Sequence, residues 1–338
     1  MKSLCQREGC FSTVAWEKLV HLGQCHACCC DASCDISAVM KARSKPSTKF
    51  VLEAVDCVRG MRDLAEESVD IVVTSPPYNL GIKYQNYRDT RSRDEYLVWC
   101  QEWAREIKRL LKIDGSLFLN LGSAPSNPLI PHELIVELKK LFVLQNTFHW
   151  IKSITIETRR GEQISAGHFK PIHSKRFVND CHEYIFHLTK NGNSSLDRLA
   201  VGVPYSDKSN IARWSHTGGR DVRCRGNTWF IPYPTIVSRS KQRPHPATFP
   251  VELAENCMRI HGVTRDTVVL DPFVGIGHSA LAAQACKVAT FIGFDIDTDY
   301  IAVAESALHD GRTQPTAALR QSESMKKRRA SESEDVLF

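Results

Sequence analysis

Four consecutive residues, Ser75-Pro76-Pro77-Tyr78, directly follow an apolar run that reaches Thr74. That run, Ile71–Val73, has the length and the β-branched content of a buried parallel strand. Two successive prolines remove two backbone donors and disfavour helix before them, so the strand must end in a rigid turn. This rigid turn is flanked by the Ser75 hydroxyl and by the aromatic ring of Tyr78. A simple strand terminator would contain the same residue types, so the rest of the chain must decide.

A second motif, LDPFVGIGHSALAA at residues 270–283, places a Gly-rich turn between a strand and a helix of small residues. Gly275 and Gly277 allow a ligand to approach the backbone, and the helix beyond offers free amides. The next strand ends at Asp295, 18 residues after Gly277. A carboxylate there suits the two hydroxyls of a ribose. The spacing also fits a dinucleotide fingerprint, so on these residues alone NAD remains an alternative ligand.

The two motifs, in this order, resemble the β-class amino-methyltransferases of DNA. These enzymes move a methyl group from S-adenosylmethionine (AdoMet) to an exocyclic base nitrogen. In that class the catalytic tetrad comes first, a basic variable segment follows, and the cofactor turn comes last. The resemblance extends from about Lys49 to Leu308. It includes Arg243–Pro250, similar to the segment before the cofactor turn, and His182–Phe186, similar to the strand before the target-recognition region.

The resemblance implies a catalytic tetrad and a set of cofactor contacts. The tetrad is Ser75, Pro76, Pro77 and Tyr78. The residues expected to bind the cofactor are Asp56, Cys57, Thr74, His245, Thr248, Phe249, Asp271, Pro272, Phe273, Gly275, Gly277 and Asp295. Core packing is the alternative role for Phe249 and Phe273, and Asp297 and Asp299 are interpreted as helix caps. No metal is expected in this site.

The base that receives the methyl group is predicted from the first tetrad position. In the resembling family, Ser at that position goes mostly with N4 of cytosine, and Asp or Asn with N6 of adenine. Ser75 therefore favours N4-methylcytosine. An N6-adenine methyltransferase of DNA or RNA is the alternative, and a catalytically silent DNA-binding subunit is a second one. Methylation at cytosine carbon 5 is set aside, because that chemistry needs a Cys nucleophile typically preceded by Pro, and the chain has no Pro-Cys dipeptide.

The middle of the chain is basic. Between Thr147 and Arg243 there are 16 Lys and Arg residues against 7 Asp and Glu, whereas the net charge of the whole chain is +6. Such a segment suits a phosphate-rich partner, although a solvated basic face has the same composition. We expect DNA to be the partner, with the target nucleotide flipped out of the duplex. The residues predicted to contact DNA are Arg159, Arg160, Lys175, Arg176, Arg220, Arg223 and Arg225.

Alternating strand and helix patterns position these motifs. They predict an α/β, Rossmann-like methyltransferase fold with a mostly parallel, seven-stranded sheet and an inserted irregular target-recognition region. The predicted strands are 50–55, 71–74, 116–121, 148–154, 183–189, 267–270 and 290–294, and the longer predicted helices are 94–111, 132–142 and 279–286. Residues 49–155 form the catalytic half, 156–242 a mobile loop, a strand and the recognition region, and 243–310 the cofactor half.

Both termini are predicted to be extensions. Residues 1–48 hold seven of the 13 cysteines, in which Cys5, Cys10, Cys25 and Cys28 could bind zinc at a spacing that matches no common finger. Residues 311–338 are predicted to be disordered. They include the basic run Met325–Arg329, which is typical of a nuclear localisation signal, or else of a solvated charge run. A nuclear signal would indicate a bacterial-type enzyme at work in a eukaryotic nucleus; without it, the expected location is cytoplasmic. No membrane segment is predicted, and a homodimer is expected because relatives of this class often dimerise.

Overall fold

The computed structural model describes residues 47–309, except for 83, 85, 88, 126, 158–160, 168–173, 179 and 233–247. The strands are β1 Lys49–Ala54, β2 Val69–Thr74, β3 Leu111–Leu121, β4 Val143–Ile151, β5 Ile154–Glu157, β6 Gln163–Ala166, β7 His182–Thr189, β8 Thr228–Phe230, β9 Val268–Asp271 and β10 Thr290–Asp295. The α-helices are α1 Cys57–Arg62, α2 Arg93–Leu110, α3 Ile130–Leu138, α4 Ser209–Arg213, α5 Val251–His261, α6 His278–Cys286 and α7 Thr298–His309.

One sheet of eight strands organises the described part of the chain, in the order β1-β10-β9-β2-β3-β7-β4-β8. Strands β1, β10, β9, β2 and β3 are mutually parallel. Strand β7 runs antiparallel to both β3 and β4. Parallel strands present their carboxyl ends at the same edge of a sheet, which is where open α/β sheets bind ligands. The loops after β1, β2, β9 and β10 therefore meet at one edge.

Apolar side chains cover both faces of this sheet, as a largely parallel sheet requires. On one face α2 and α3 bury residues such as Trp103 and Leu134, and on the other α5 and α6 bury residues such as Met258 and Ala282. Helix α2 begins at a capping box in which Ser92 and Glu95 satisfy each other's backbone amides. The sequence predicts this helix to begin at residue 94, two residues after the observed cap Ser92. The firm start of α2 fixes the end of the loop that leaves the tetrad.

The structure adds to the predicted fold in two places. The sheet has an eighth strand, β8, in a stretch predicted to be irregular, and this strand pairs with β4. Its Trp229 is fully buried, and the ring centroids of Trp229 and Phe148 are 4.5 Å apart. The predicted mobile loop contains an antiparallel hairpin of β5 and β6. The predicted fold class is confirmed, whereas the predicted domain boundaries stay predictions. Residues 1–46 and 310–338 lie outside the described residues, and with them the zinc and nuclear-signal predictions for the two extensions.

Candidate active site

Two neighbouring strands bring the tetrad and the Gly-rich turn together. Strand β2 leads into Ser75, and β9 leads into Pro272, with Val72 paired to Leu270 between them. A cavity of about 410 Å³ lies where these loops meet. Its walls include twelve of the predicted site residues: Asp56, Cys57, Ser75, Pro76, Pro77, Tyr78, Thr248, Phe249, Pro272, Phe273, Gly275 and Asp295.

Asp271 and Thr74 were predicted to contact the cofactor, but both lie behind the cavity wall and are 0–1% exposed. Asp271 Oδ1 accepts hydrogen bonds from the Thr74 hydroxyl at 2.7 Å and from the Phe273 amide at 3.0 Å. Its Oδ2 accepts from the Ser279 hydroxyl at 2.5 Å. Burial raises the pKa of Asp271 to about 6, against the pull of these donors. Both residues therefore shape the Gly-rich turn and do not line the cavity.

The two glycines of the turn have different roles. Gly275 lines the cavity, and its amide donates to Asp295 Oδ2 at 3.0 Å. Gly277 does not line the cavity, and its predicted role in ligand approach stays a prediction. It has φ of +85°, and a Cβ there would lie 2.7 Å from the Cβ of Ala304. Gly277 is needed because α6 begins there in a left-handed conformation against α7.

Carboxylate side chains lie at one end of the cavity, where β1 and β10 end. Asp295 lies in the wall, and burial raises its pKa. Asp297 also lines the cavity and caps α7 through Oδ1, as predicted. Its Oδ2 is buried without a hydrogen-bond partner among the described residues. A buried acceptor of this kind needs a donor, which a ribose hydroxyl or an adenine amine would supply. The cavity therefore fits an adenosyl group at this end.

Asp56 and Cys57 complete that end. Asp56 caps α1, where its Oδ1 accepts from the Arg59 amide at 3.1 Å. Burial, followed by the charge of Asp56, raises the pKa of the Cys57 thiol far above its usual value. Cys57 therefore stays a neutral thiol, which excludes a role as a thiolate nucleophile at neutral pH.

The tetrad is held by contacts on both sides. The Pro77 carbonyl accepts a hydrogen bond from the buried Tyr96 hydroxyl at 2.9 Å. This bond fixes the Pro77 carbonyl, and with it the backbone of the tetrad, against α2. The Ser75 and Tyr78 hydroxyl oxygens lie 2.6 Å apart. Burial, followed by the charge of Glu183, raises the pKa of Tyr78 well above its usual value, so Tyr78 stays a neutral phenol.

The sequence prediction did not place Asn120, Gly122 and Glu183 in the site. Asn120 Nδ2 lies 2.8 Å from the Tyr78 hydroxyl and 2.6 Å from Glu183 Oε2. Gly122 and Glu183 line the cavity, and a Cβ on Gly122 would lie 3.0 Å from Tyr78 Cε2. The one local signal was a polar Asn in the apolar strand Leu117–Leu121.

An aromatic group forms another part of the cavity wall. Phe273 contacts Trp99 with ring centroids 5.6 Å apart, and the Arg91 guanidinium lies 5.1 Å from the Trp99 ring centroid. Tyr84 and Tyr87, from the loop after the tetrad, also line the cavity. This loop folds around Asp89, whose carboxylate accepts from three of its backbone amides at 2.8–3.0 Å. Phe273 thus lies both in the cavity wall and among packed rings.

The remaining cofactor prediction concerns the segment before α5. The carbonyl of Phe249 lies 2.6 Å from His278 Nδ1, which ties this segment to the first residue of α6. Phe249 is 7% exposed and belongs to the core as well as to the cavity wall. His245 lies outside the described residues.

The predicted DNA contacts separate into three groups. Lys175, Arg176, Arg220 and Arg223 are exposed. Arg225 is partly buried, and its Nε donates to the Val201 carbonyl at 3.0 Å, so it serves the fold. Arg159 and Arg160 lie outside the described residues.

The described residues contain neither a metal-ligand cluster nor a helix suited to cross a membrane. No group of three or more His, Cys, Asp or Glu side chains there is arranged to hold a metal ion. Within the same residues, no helix is long and apolar enough to cross a membrane.

The fold is that of AdoMet-dependent methyltransferases. The structure resembles the PvuII DNA methyltransferase, described as cytosine-N4-specific, with a TM-score of 0.56, 19% identity, and coverage of 77% of this chain and 86% of that one. It also resembles TTHA0409, a putative DNA modification methylase from Thermus thermophilus solved with AdoMet, with a TM-score of 0.50, 22% identity, and coverage of 78% and 95%.

Sequence comparison defines the family. Residues 69–306 match the N6/N4 DNA methylase family, and the chain belongs to it. The type II methyltransferase M.ScaI of Streptomyces caespitosus is 26% identical over 81% of this chain and 86% of its own length. The DNA adenine methyltransferase YhdJ of Escherichia coli is 25% identical over 75% of this chain and 82% of its own length.

Proposed function

We propose that this protein methylates the exocyclic N4 of a flipped-out cytosine in DNA, with AdoMet as the cofactor. The observation that carries the proposal is the position of Ser75. Ser75 lines the cavity together with Pro76 and with Gly275 of the Gly-rich turn. In this proposal the amine binds on the Ser75 side of the cavity and the adenosyl group on the Asp295 side, at one edge of the sheet.

The chain's own residues make the amine reactive. The lone pair of an exocyclic amine is delocalised into the ring, which makes the nitrogen a poor nucleophile. Acceptors on its two hydrogens favour tetrahedral nitrogen and free the lone pair. The Pro76 carbonyl and the Ser75 hydroxyl are those acceptors, and the rigid turn holds them in place. Asp295, Asp297 and Asp56 would hold AdoMet, which would supply an electrophilic methyl group.

An extruded base must also be held. The Tyr78 ring supplies a stacking surface, which is worth about 1–3 kcal/mol per base in other proteins. The exposed Lys175, Arg176, Arg220 and Arg223 would contact phosphates of the DNA. A target nucleotide inside a duplex is inaccessible to such a cavity, so base flipping belongs to the proposal.

A second candidate is N6-adenine methylation, and a specific comparison favours it. The relative from Escherichia coli is named a DNA adenine methyltransferase. Cytosine and adenine amines present the same two hydrogens, so the tetrad geometry serves either base. Ser75 in place of Asp or Asn favours cytosine.

The experiment is direct. The protein is incubated with methyl-labelled AdoMet and unmethylated DNA, the DNA is digested to nucleosides, and the labelled nucleoside is identified by mass spectrometry. We expect N4-methylcytosine; N6-methyladenine would replace the proposal with its alternative, and absence of transfer would favour a silent DNA-binding subunit. In the same assay, Ser75→Ala and Pro76→Ala should abolish transfer while AdoMet binding survives.

Two other predictions stay proposals. A homodimer is proposed, and size-exclusion chromatography with light scattering tests it. The matched relatives reported above come from bacteria and do not support a nuclear location, which rests only on Met325–Arg329. Fusion of residues 311–338 to a fluorescent protein in eukaryotic cells would test that signal.

A further inference from the structure

A chain of hydrogen bonds leads from the tetrad to the partly buried carboxylate of Glu183. The Ser75 and Tyr78 hydroxyl oxygens are 2.6 Å apart, and the Tyr78 hydroxyl donates to Glu183 Oε2 at 3.2 Å. On the far side, Lys152 Nζ donates to Glu183 Oε1 at 3.1 Å. The side chains of Lys152 and Glu183 are only 20% and 16% exposed. Glu183 thus connects the tetrad to an ion pair next to the cavity.

Asn120 gives this chain a direction. Its Nδ2 donates both to Glu183 Oε2, at 2.6 Å, and to the Tyr78 oxygen, at 2.8 Å. With its single hydrogen donated to Glu183, the Tyr78 oxygen accepts from Asn120 and from the Ser75 hydroxyl. Ser75 then points its own hydrogen toward Tyr78, and its lone pairs remain available to an amine in the cavity.

Methylation of an amine leaves a proton to dispose of. The nitrogen forms a bond to the methyl carbon while the carbon–sulfur bond breaks, and that electron pair stays on sulfur. The methylated nitrogen then carries one hydrogen more than the neutral product, and this hydrogen must leave as a proton. A hydroxyl can pass on a proton but cannot keep it, because protonated Ser is a very strong acid. A carboxylate is the group in this network that can hold the proton.

We propose that Glu183 is the proton acceptor of the transfer reaction, reached from the amine through the Ser75 and Tyr78 hydroxyls. The amine proton passes to Ser75, the Ser75 proton to Tyr78, and the Tyr78 proton to Glu183, which later releases it to solvent. Lys152 holds the other carboxylate oxygen and keeps Oε2 toward Tyr78. This inference rests on the proposed methyl transfer to an amine, and it holds for cytosine or adenine.

Titratable side chains on neighbouring elements face Glu183. The titratable groups around Glu183 are Tyr78 on the tetrad side, Lys152 after β4, and His182 next to it in β7. Burial, followed by the charge of His149, lowers the pKa of His182, which favours a neutral imidazole there. Tyr78 is held as a neutral phenol, so it can serve as a link but not as the final base.

The test uses single-turnover kinetics, with enzyme in excess over DNA and saturated with AdoMet, so that binding does not enter the rate. Glu183→Gln keeps the shape of the side chain and an acceptor for Asn120, but it cannot take up a proton. We expect its rate to fall about 100-fold while the dissociation constant of AdoMet changes less than twofold.

A second variant keeps the test decisive if Glu183→Gln folds poorly. Tyr78→Phe retains the ring and interrupts the chain of hydroxyls. It should lose rate to a similar extent, and the double variant should be no slower than either single one, because both remove the same path. Glu255→Gln, which alters a Glu–Arg pair on α5, is the matched control and should keep the wild-type rate.

The outcomes separate the two proposals. Absence of methyl transfer by the wild type would reject the proposed function itself. An active wild type whose Glu183→Gln variant keeps its rate within threefold would reject the relay alone. Additive losses in the double variant would also reject it.

Discussion

The Thr74 hydroxyl donates a 2.7 Å hydrogen bond to Asp271 Oδ1, and this bond joins the last residue of β2 to the last residue of β9. The tetrad begins one residue after Thr74, and the Gly-rich turn begins one residue after Asp271. The same carboxylate also accepts from the Phe273 amide and the Ser279 hydroxyl. A single buried Asp therefore sets the positions of both motifs relative to each other.

Thr74→Val tests this bond. Val keeps the shape and the strand propensity but removes the donor from a buried carboxylate. We expect the free energy of unfolding to fall by about 2 kcal/mol, a value typical of a hydrogen bond to a charged group. Urea unfolding measures the change, and Thr228→Val at an exposed position of β8 is the control. Equal stability of both variants would show that the bond contributes nothing.

The pKa of Asp271 predicts a pH dependence of stability. Burial raises this pKa from 3.8 to about 6, so between these values the folded protein binds more protons than the unfolded chain. The contribution of Asp271 is therefore fully present below pH 3.8 and is lost as pH rises through about 6, in total about 3 kcal/mol.

Asp271→Asn removes this titration. The stability of wild type minus that of the variant should decrease between pH 4 and pH 7, measured by urea unfolding at each pH. Because the difference cancels the other carboxyl groups, a constant difference across this range would contradict the shifted pKa.

The motifs that the sequence predicts well are contiguous. Ser75–Tyr78 and the turn after Asp271 are read from neighbouring residues, because rigid turns and close backbone approach need particular residue types. The alternating pattern then predicts that they meet, since parallel strands end at one edge. Asn120 and Glu183 could not be placed in this way. They lie 63 residues apart and meet only because β7 turns back antiparallel beside β3, with Asn120 paired to Ile185.

Packing explains the other differences. Asp271 and Gly277 look like ligand contacts in sequence, because a motif does not tell which of its residues face the ligand. Asp271 accepts hydrogen bonds from three donors under the turn. Gly277 has no side chain, which leaves room for Ala304. Strand β8 has three residues, too few for an alternating pattern, and it forms because Trp229 fills the core beside Phe148.

Gly277→Ala tests the packing role of this glycine. The residue has φ of +85° and would place its Cβ 2.7 Å from that of Ala304, so strain and crowding add. Gly226→Ala is a matched control, because Gly226 has φ of +83° and open space around the position of a Cβ. We expect the control to lose about 1 kcal/mol of unfolding free energy and Gly277→Ala clearly more. Equal losses of unfolding free energy in the two variants would mean that α7 shifts to make room for the added methyl group.

Gly122→Ala tests the base side of the cavity without changing a polar group. Its Cβ would lie 3.0 Å from Tyr78 Cε2 and 3.1 Å from Glu183 Cγ and Cδ, so these side chains must shift by a few tenths of an ångström. We expect the single-turnover methylation rate to fall at least tenfold, because transfer depends on positioning. AdoMet binding, measured by calorimetry, should change less than threefold. A large loss of AdoMet affinity with an unchanged rate would place the cofactor, and not the base, beside Gly122.

The exposed arginines predict how DNA binding responds to salt. Each phosphate contact releases counterions, so the logarithm of the association constant should fall linearly with the logarithm of salt concentration, by about 0.9 per contact. The double variant Arg220→Ala/Arg223→Ala should reduce this slope by about 2 if both side chains contact phosphates. Arg105→Ala on α2, outside the basic segment, should leave it unchanged. Fluorescence anisotropy with a labelled duplex at several salt concentrations gives the slopes. A flat dependence for the wild type would reject the phosphate contacts, and an unchanged slope with altered sequence preference would instead assign these arginines to base edges.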